Sequence, residues 1–224
     1  MAKETDITVE AARELVSDRL LWPRVRDFLW NFAPQVHASW VEDLFSSIGA
    51  EARSGMESSR VKRYVLESLC VEPCFHTFPK DDGSRLLLLD GATLESIAKW
   101  LGALACATKL RGVTSGADVR ALKAALPGIY PDVFAYMAYF SGMNLAAKDA
   151  KGAEEVVAVG FAMLYSAFAS LPSSLVSRLR FKFPKALCDL CVLCGEKEDV
   201  PARLQVVNKL LKLKFPEAYS LCCS

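Results

Sequence analysis

Three cysteines, Cys188, Cys191 and Cys194, stand three residues apart in "KALCDLCVLCGEKED". This C-x2-C-x2-C spacing opens the bacterial iron–sulfur run, in which thiolates hold the irons. That run continues x3-C-P, but the fourth position here is Glu198 and proline comes only at Pro201. A cluster would therefore have to recruit Cys70, Cys74, Cys106, Cys222 or Cys223 from elsewhere in the chain. In "CVEPCFH", Cys70, Cys74 and His76 could supply three zinc ligands, yet no second ligand pair stands at the expected separation. A metal- or iron–sulfur-binding regulatory protein using Cys188, Cys191 and Cys194 is the alternative to carry forward. The simpler reading places the three on one face of a helix, beside Leu187 and Leu190, as small buried hydrophobes.

Other chemistry is sparse. Only two histidines, His37 and His76, occur, and neither lies in a signature for a thiol nucleophile. Asp81 and Asp82 fall in "KDDGS", which reads as turn chemistry rather than a carboxylate pair. Neither phosphate-binding glycine pattern is present, and Gly160, inside an apolar helix, reads as a place of close helix contact. The residue types predict no enzyme and no cofactor. The charge is unevenly placed: "SRLRFKFPK" carries Arg178, Arg180, Lys182 and Lys185 and no acid, Arg203, Lys209, Lys212 and Lys214 follow later, and the first twenty residues lean acidic. Extended, "SRLRFKFPK" would set Arg178, Arg180 and Lys182 opposite Leu179, Phe181 and Phe183. The four cations of that stretch are the candidate partner-binding residues, suited to an acidic protein surface.

The elements that must position these residues are helical almost throughout. Thr8 caps "TVEAARELVSDRLL", Pro23 opens "PRVRDFLWNF", and Pro34 opens "PQVHASWVEDLFSSI", with His37 against the core edge. "ESSRVKRYVLESL", "TLESIAKWLGALACATKL" (capped by Thr93 and Glu95), "GADVRALKAAL" and "PDVFAYMAYF" follow, each at helical spacing. So do "AEEVVAVGFAMLYSAFASL", "SSLVSRLRFKF", "KALCDLCVLC" and "PARLQVVNKLLKLKF". Short apolar runs on both sides of "KDDGS" predict a small β-hairpin near residues 74–89. The expected fold is all-α, a single irregular domain of about ten helices over 1–224, with a flexible joint near 147–152.

Bulk composition sets the outer limits. The chain has 224 residues, 52% of them hydrophobic, and a net charge of +1, which argues against a dedicated nucleic-acid binder. The first twenty residues are charged throughout and contain no apolar signal core, and eight cysteines in such a chain are expected to be reduced thiols. The apolar run "VVAVGFAMLYSAFASL" ends at Pro172, short of the roughly 20 residues a membrane span needs. The expectation is a cytoplasmic protein with no transmembrane segment.

Several separated stretches together resemble the K-component family of type III secretion sorting platforms, of the YscK/PscK/OrgA type. "FAPQVHASWVEDL" is similar to its F-x-P-x-x-Y-x-H signature through Phe32 and Pro34. Leu94, Ile97, Leu101, Gly102, Leu110 and Arg111 follow the family's central leucine-rich helix. Gly160, Arg178 and Leu179, with Pro184 one residue late, resemble the G-x-x-x-L…P…R-L-x-L-x-P segment, and "VVNKLLKLKFPEAYSL" matches in outline. The resemblance implies a non-enzymatic adaptor at the cytoplasmic face of the injectisome. It would join the forkhead-associated-like domain of the inner-membrane ring to the cytoplasmic ring (pod) protein, and through that to the stator and ATPase. A helical effector or chaperone-like protein would share the apolar content.

Overall fold

A computed structural model describes residues 18–19, 21–46, 58–71, 78, 82–141, 143, 152–191 and 200–222, the side chains of 82, 189–191 and 200–201 apart. Among these residues there is no strand, and the protein is all-α. Its helices are α1 (Leu21–Trp30), α2 (Ala38–Phe45), α3 (Ser59–Ser68), α4 (Asp82–Arg85), α5 (Gly91–Ala105), α6 (Ala107–Arg111) and α7 (Gly116–Ala125). Then come α8 (Val133–Tyr136), α9 (Ala153–Ala167), α10 (Ser173–Phe181), α11 (Lys185–Cys191), α12 (Val200–Lys214) and α13 (Pro216–Cys222). Tight 3-10 turns fill Ala33–Gln35, Leu86–Leu88 and Met137–Phe140.

The centre of the fold is the crossing of α5 and α9. α5 buries Leu94, Ile97, Ala98, Leu101 and Gly102, and α9 buries Val156, Val159, Gly160, Met163 and Leu164. The two meet backbone to backbone. A Cβ on Gly160 would overlap the carbonyl oxygen of Ala98 and lie 2.5 Å from the Gly102 nitrogen, and one on Gly102 would overlap the Val156 carbonyl. Both glycines are required by the absence of a side chain, since each side chain inserted there would have to push the helices apart. The apolar run of α9 is thus a buried helix, and no helix among the described residues is long and apolar enough to cross a membrane.

Local capping differs from the sequence reading at two places. Asp90, not Thr93, is the N-cap of α5: its carboxylate accepts from the Thr93 amide at 2.8 Å and from the Thr93 hydroxyl at 2.9 Å. Pro34 sits in a 3-10 turn, and α2 starts four residues later, where Nδ1 of His37 accepts the Ser39 amide at 3.1 Å. That acceptor role leaves the ring proton on Nε2.

The β-hairpin expected near 74–89 is not formed over its second half, which is α4 followed by a 3-10 turn; 74–77 and 79–81 lie outside the described residues. The physical reason is burial on every side. Leu86, Leu87, Leu88 and Leu89 are all buried, which a strand with alternating faces cannot achieve without a sheet on either side. The joint expected at 147–152 also lies outside the described residues, except Gly152, the residue before α9.

Candidate interaction surface

Two stretches about 140 residues apart in sequence close on each other along one seam: the Phe28–Asp43 region and the Arg178–Lys185 region. The Phe181 carbonyl accepts the His37 amide at 2.7 Å, and the Phe183 carbonyl accepts Nε1 of the Trp40 indole at 2.9 Å. The Lys185 amide donates to the Ser39 hydroxyl at 3.0 Å, so that hydroxyl can donate onward to Nδ1 of His37 at 2.9 Å. Trp40 also meets Phe181 edge to face, with centroids 5.2 Å apart. These are cross-links between loop and helix ends, where backbone groups lack partners of their own.

The four cations expected to form a surface strip divide into two kinds. α10 is a helix, not an extended segment, so the predicted alternation does not arise. Arg178 is only 3% exposed and Lys182 1%. Nη1 of Arg178 donates to the carbonyls of Phe28 at 2.5 Å and Leu29 at 3.0 Å, two of the carbonyls left over at the end of α1. A cation there also meets the negative end of the helix dipole. The guanidinium lies 5.8 Å from the Phe28 ring centroid and 5.4 Å from that of Phe32. One turn on, Nζ of Lys182 donates to Leu87 at 2.6 Å and Leu89 at 2.7 Å and sits 5.1 Å from the Phe28 centroid. It thereby satisfies carbonyls left over where the turn Leu86–Leu88 ends.

Burial pushes the Lys182 amine down to about 7, against the pull of the Asp90 carboxylate and with help from Arg24. For Asp90 itself burial is the largest influence and acts upward, but the two Thr93 hydrogen bonds and Lys182 together hold its carboxyl below the usual range. In front of this pair an open cleft of about 290 Å³ is lined by Arg24, Asp27, Pro34, Gln35, Leu88, Asp90 and Gly91.

The other two cations reach solvent. Arg180 is exposed, its guanidinium 5.3 Å from the Trp40 centroid. Lys185 is half-exposed, pairs with Asp43 and lies 5.8 Å from Trp40. Nothing in the sequence singles out Phe28, Ser39 and Trp40, and their role follows only from where α10 ends and α11 begins.

Of the cysteine run, only Cys188 has a described side chain. Cys188 is buried, and its thiol donates to the Arg180 carbonyl at 3.3 Å. Cys191 ends α11, its side chain and Cys194 lying outside the described set. Cys106 is also buried, its thiol pushed up to about 11 by burial and by the nearby Glu155, which suits a core residue and not a nucleophile. Among the described residues no group of three His, Cys, Asp or Glu is placed to hold a metal ion.

The described residues thus define an all-α protein whose motif-bearing segments brace one another. Residues 26–129 match the family model described as YOP proteins translocation protein K (YscK), the K-component family of type III secretion, as the motifs at Phe32, Pro34 and Leu94–Arg111 imply. No curated protein and no solved structure matches the chain. The Gly160–Pro184 motif lies beyond the matched segment, yet Arg178 and Gly160 pack directly onto it.

Proposed function

We propose that the protein is a non-enzymatic adaptor of a type III secretion sorting platform. It would hold the cytoplasmic domain of the inner-membrane ring protein with one face and the cytoplasmic ring (pod) protein with another. The observation that carries this reading is the family match over residues 26–129, a segment that supplies one whole side of the seam. The seam is built for rigidity: helix ends are closed by distant side chains, so the exposed residues above them keep fixed positions. A rigid connector of this kind sets the spacing between the two partners it binds.

Within this reading Arg180 and Lys185 form the partner-facing part of the basic strip, with Trp40 beneath them. Arg178 and Lys182 act from below, by fixing the helix that carries Arg180. An acidic surface on the partner would complete the contact.

The test is affinity purification of tagged protein from its native cytoplasm under reducing, anaerobic conditions, with mass spectrometry and metal analysis of the eluate. Ring and pod proteins at stoichiometric yield, without iron or zinc, are the expected result. One equivalent of iron or zinc with no secretion component would instead favour the Cys188, Cys191 and Cys194 reading.

A further inference from the structure

A second surface combines exposed apolar groups with lysines. Tyr139, 56% exposed, lies in the turn Met137–Phe140, and Leu213, 37% exposed, lies in the last turns of α12. Two contacts tie these segments together, and a third links Tyr139 to the ring that Lys214 covers. Lys209 sits 5.6 Å from the Phe140 centroid, Lys214 sits 3.9 Å from that of Tyr136, and Tyr136 and Tyr139 stand 5.8 Å apart. On α12 the exposed Lys212 and Leu213 fall three and four residues after Lys209 and so share its face. The chain as a whole carries only +1, so this basicity is local.

We propose that this surface docks an acidic, leucine-bearing helix of a partner protein. As one of the two faces an adaptor needs, it rests on the adaptor reading. Tyr139 and Leu213 give an apolar centre, and Lys209 and Lys212 give a charged rim, the arrangement found where a few aromatic anchors carry binding. A helix with Glu flanking Leu matches both parts. Asp132, the acid in this cluster, is paired with Lys214 at 3.2 Å. A phosphate polymer matches less well, because its charged backbone offers the exposed Leu213 no apolar group to cover.

The test uses the full chain and a fluorescein-labelled helical peptide of Glu and Leu, against the same peptide with Lys in place of Glu. Single-stranded oligo-U and phosphatidylserine vesicles are titrated in parallel. The acidic peptide is expected to bind, and about tenfold more weakly to Tyr139→Ala and to Lys212→Glu. Both residues are exposed, and unchanged melting will show that the variants fold. Equal binding of the two peptides, equal binding by variants and wild type, or tighter binding of oligo-U or vesicles would each overturn the docking surface. Capture of ring and pod proteins equally by wild type and Tyr139→Ala would overturn it too, while leaving the adaptor standing. Peptide binding lost in both variants, with no capture of either protein by wild type, would keep the surface and remove the adaptor.

Discussion

Arg178 closes the C-terminal end of the helix that carries Phe28, reaching across 150 residues of sequence to donate to the Phe28 carbonyl. Its guanidinium replaces a local cap, so the end of α1 depends on α10 for its hydrogen bonds. Arg178→Met should therefore destabilise the fold by about 3 kcal/mol, the scale for leaving buried carbonyls without a charged donor. Arg178→Lys should recover part of the loss. Urea denaturation followed by circular dichroism is the check, and an unchanged midpoint for the Met variant would show that the cap contributes nothing.

The α5–α9 crossing makes an opposite-signed prediction from helix propensity. At an open helical site, Gly→Ala stabilises by up to about 1 kcal/mol. At Gly102 and Gly160 the added methyl meets backbone and cannot be accommodated by a side-chain shift. Each substitution should cost about 3 kcal/mol, which lowers Tm by about 6–12 °C in a domain of this size. A rise in Tm for either variant would mean that the helices do not cross as described.

Lys182 gives the stability a pH dependence of definite sign. Its folded-state pKa is held at about 7, against an ordinary 10.5. Below pH 7 both folded and unfolded chains carry the proton, and the cost of burying the charge is fully present. Between 7 and 10.5 the unfolded chain binds more protons than the folded one, so that cost is relieved as pH rises. Compared with Lys182→Met, the wild type should gain on the order of 1–3 kcal/mol between pH 6.5 and 9.5. A constant difference across that range, or a wild type that loses stability relative to the Met variant as pH rises, contradicts this placement of the amine.

Much of the architecture was readable from spacing alone. The apolar period of α5 and α9 and the close contact at Gly160 are local consequences of side-chain size. The failures share a different cause. Leu86–Leu89 has no period, so four consecutive leucines do not distinguish a strand from a turn buried on all sides. Arg178 and Lys182 looked like surface charge because nothing near them in sequence is acidic. Their partners are carbonyls of Phe28, Leu29, Leu87 and Leu89, groups every residue has and no pattern marks. Asp90 is a preferred N-cap type that competes with Thr93 three residues on, whereas His37 is not among the residues that mark a helix start and Pro34 suggests an earlier one.

Of the basic residues, only those at the surface should matter for partners. Charge reversal at Arg180 and Lys185 together should weaken capture of an acidic partner at least about tenfold. It should shift stability by no more than about 1 kcal/mol, because the Lys185–Asp43 pair is half-exposed. A pull-down run beside a melting curve separates the two effects. Capture that survives the reversal would remove this strip from the interface.

The most direct measurement of the central claim is reconstitution of three purified components: this protein, the ring protein's cytoplasmic domain and the pod protein. Size-exclusion chromatography with light scattering would read the masses of the complexes. A ternary complex that forms only when this protein is present, the other two remaining separate without it, is the predicted result. Two partners that associate equally well in its absence, or that never join it together, would contradict an adaptor.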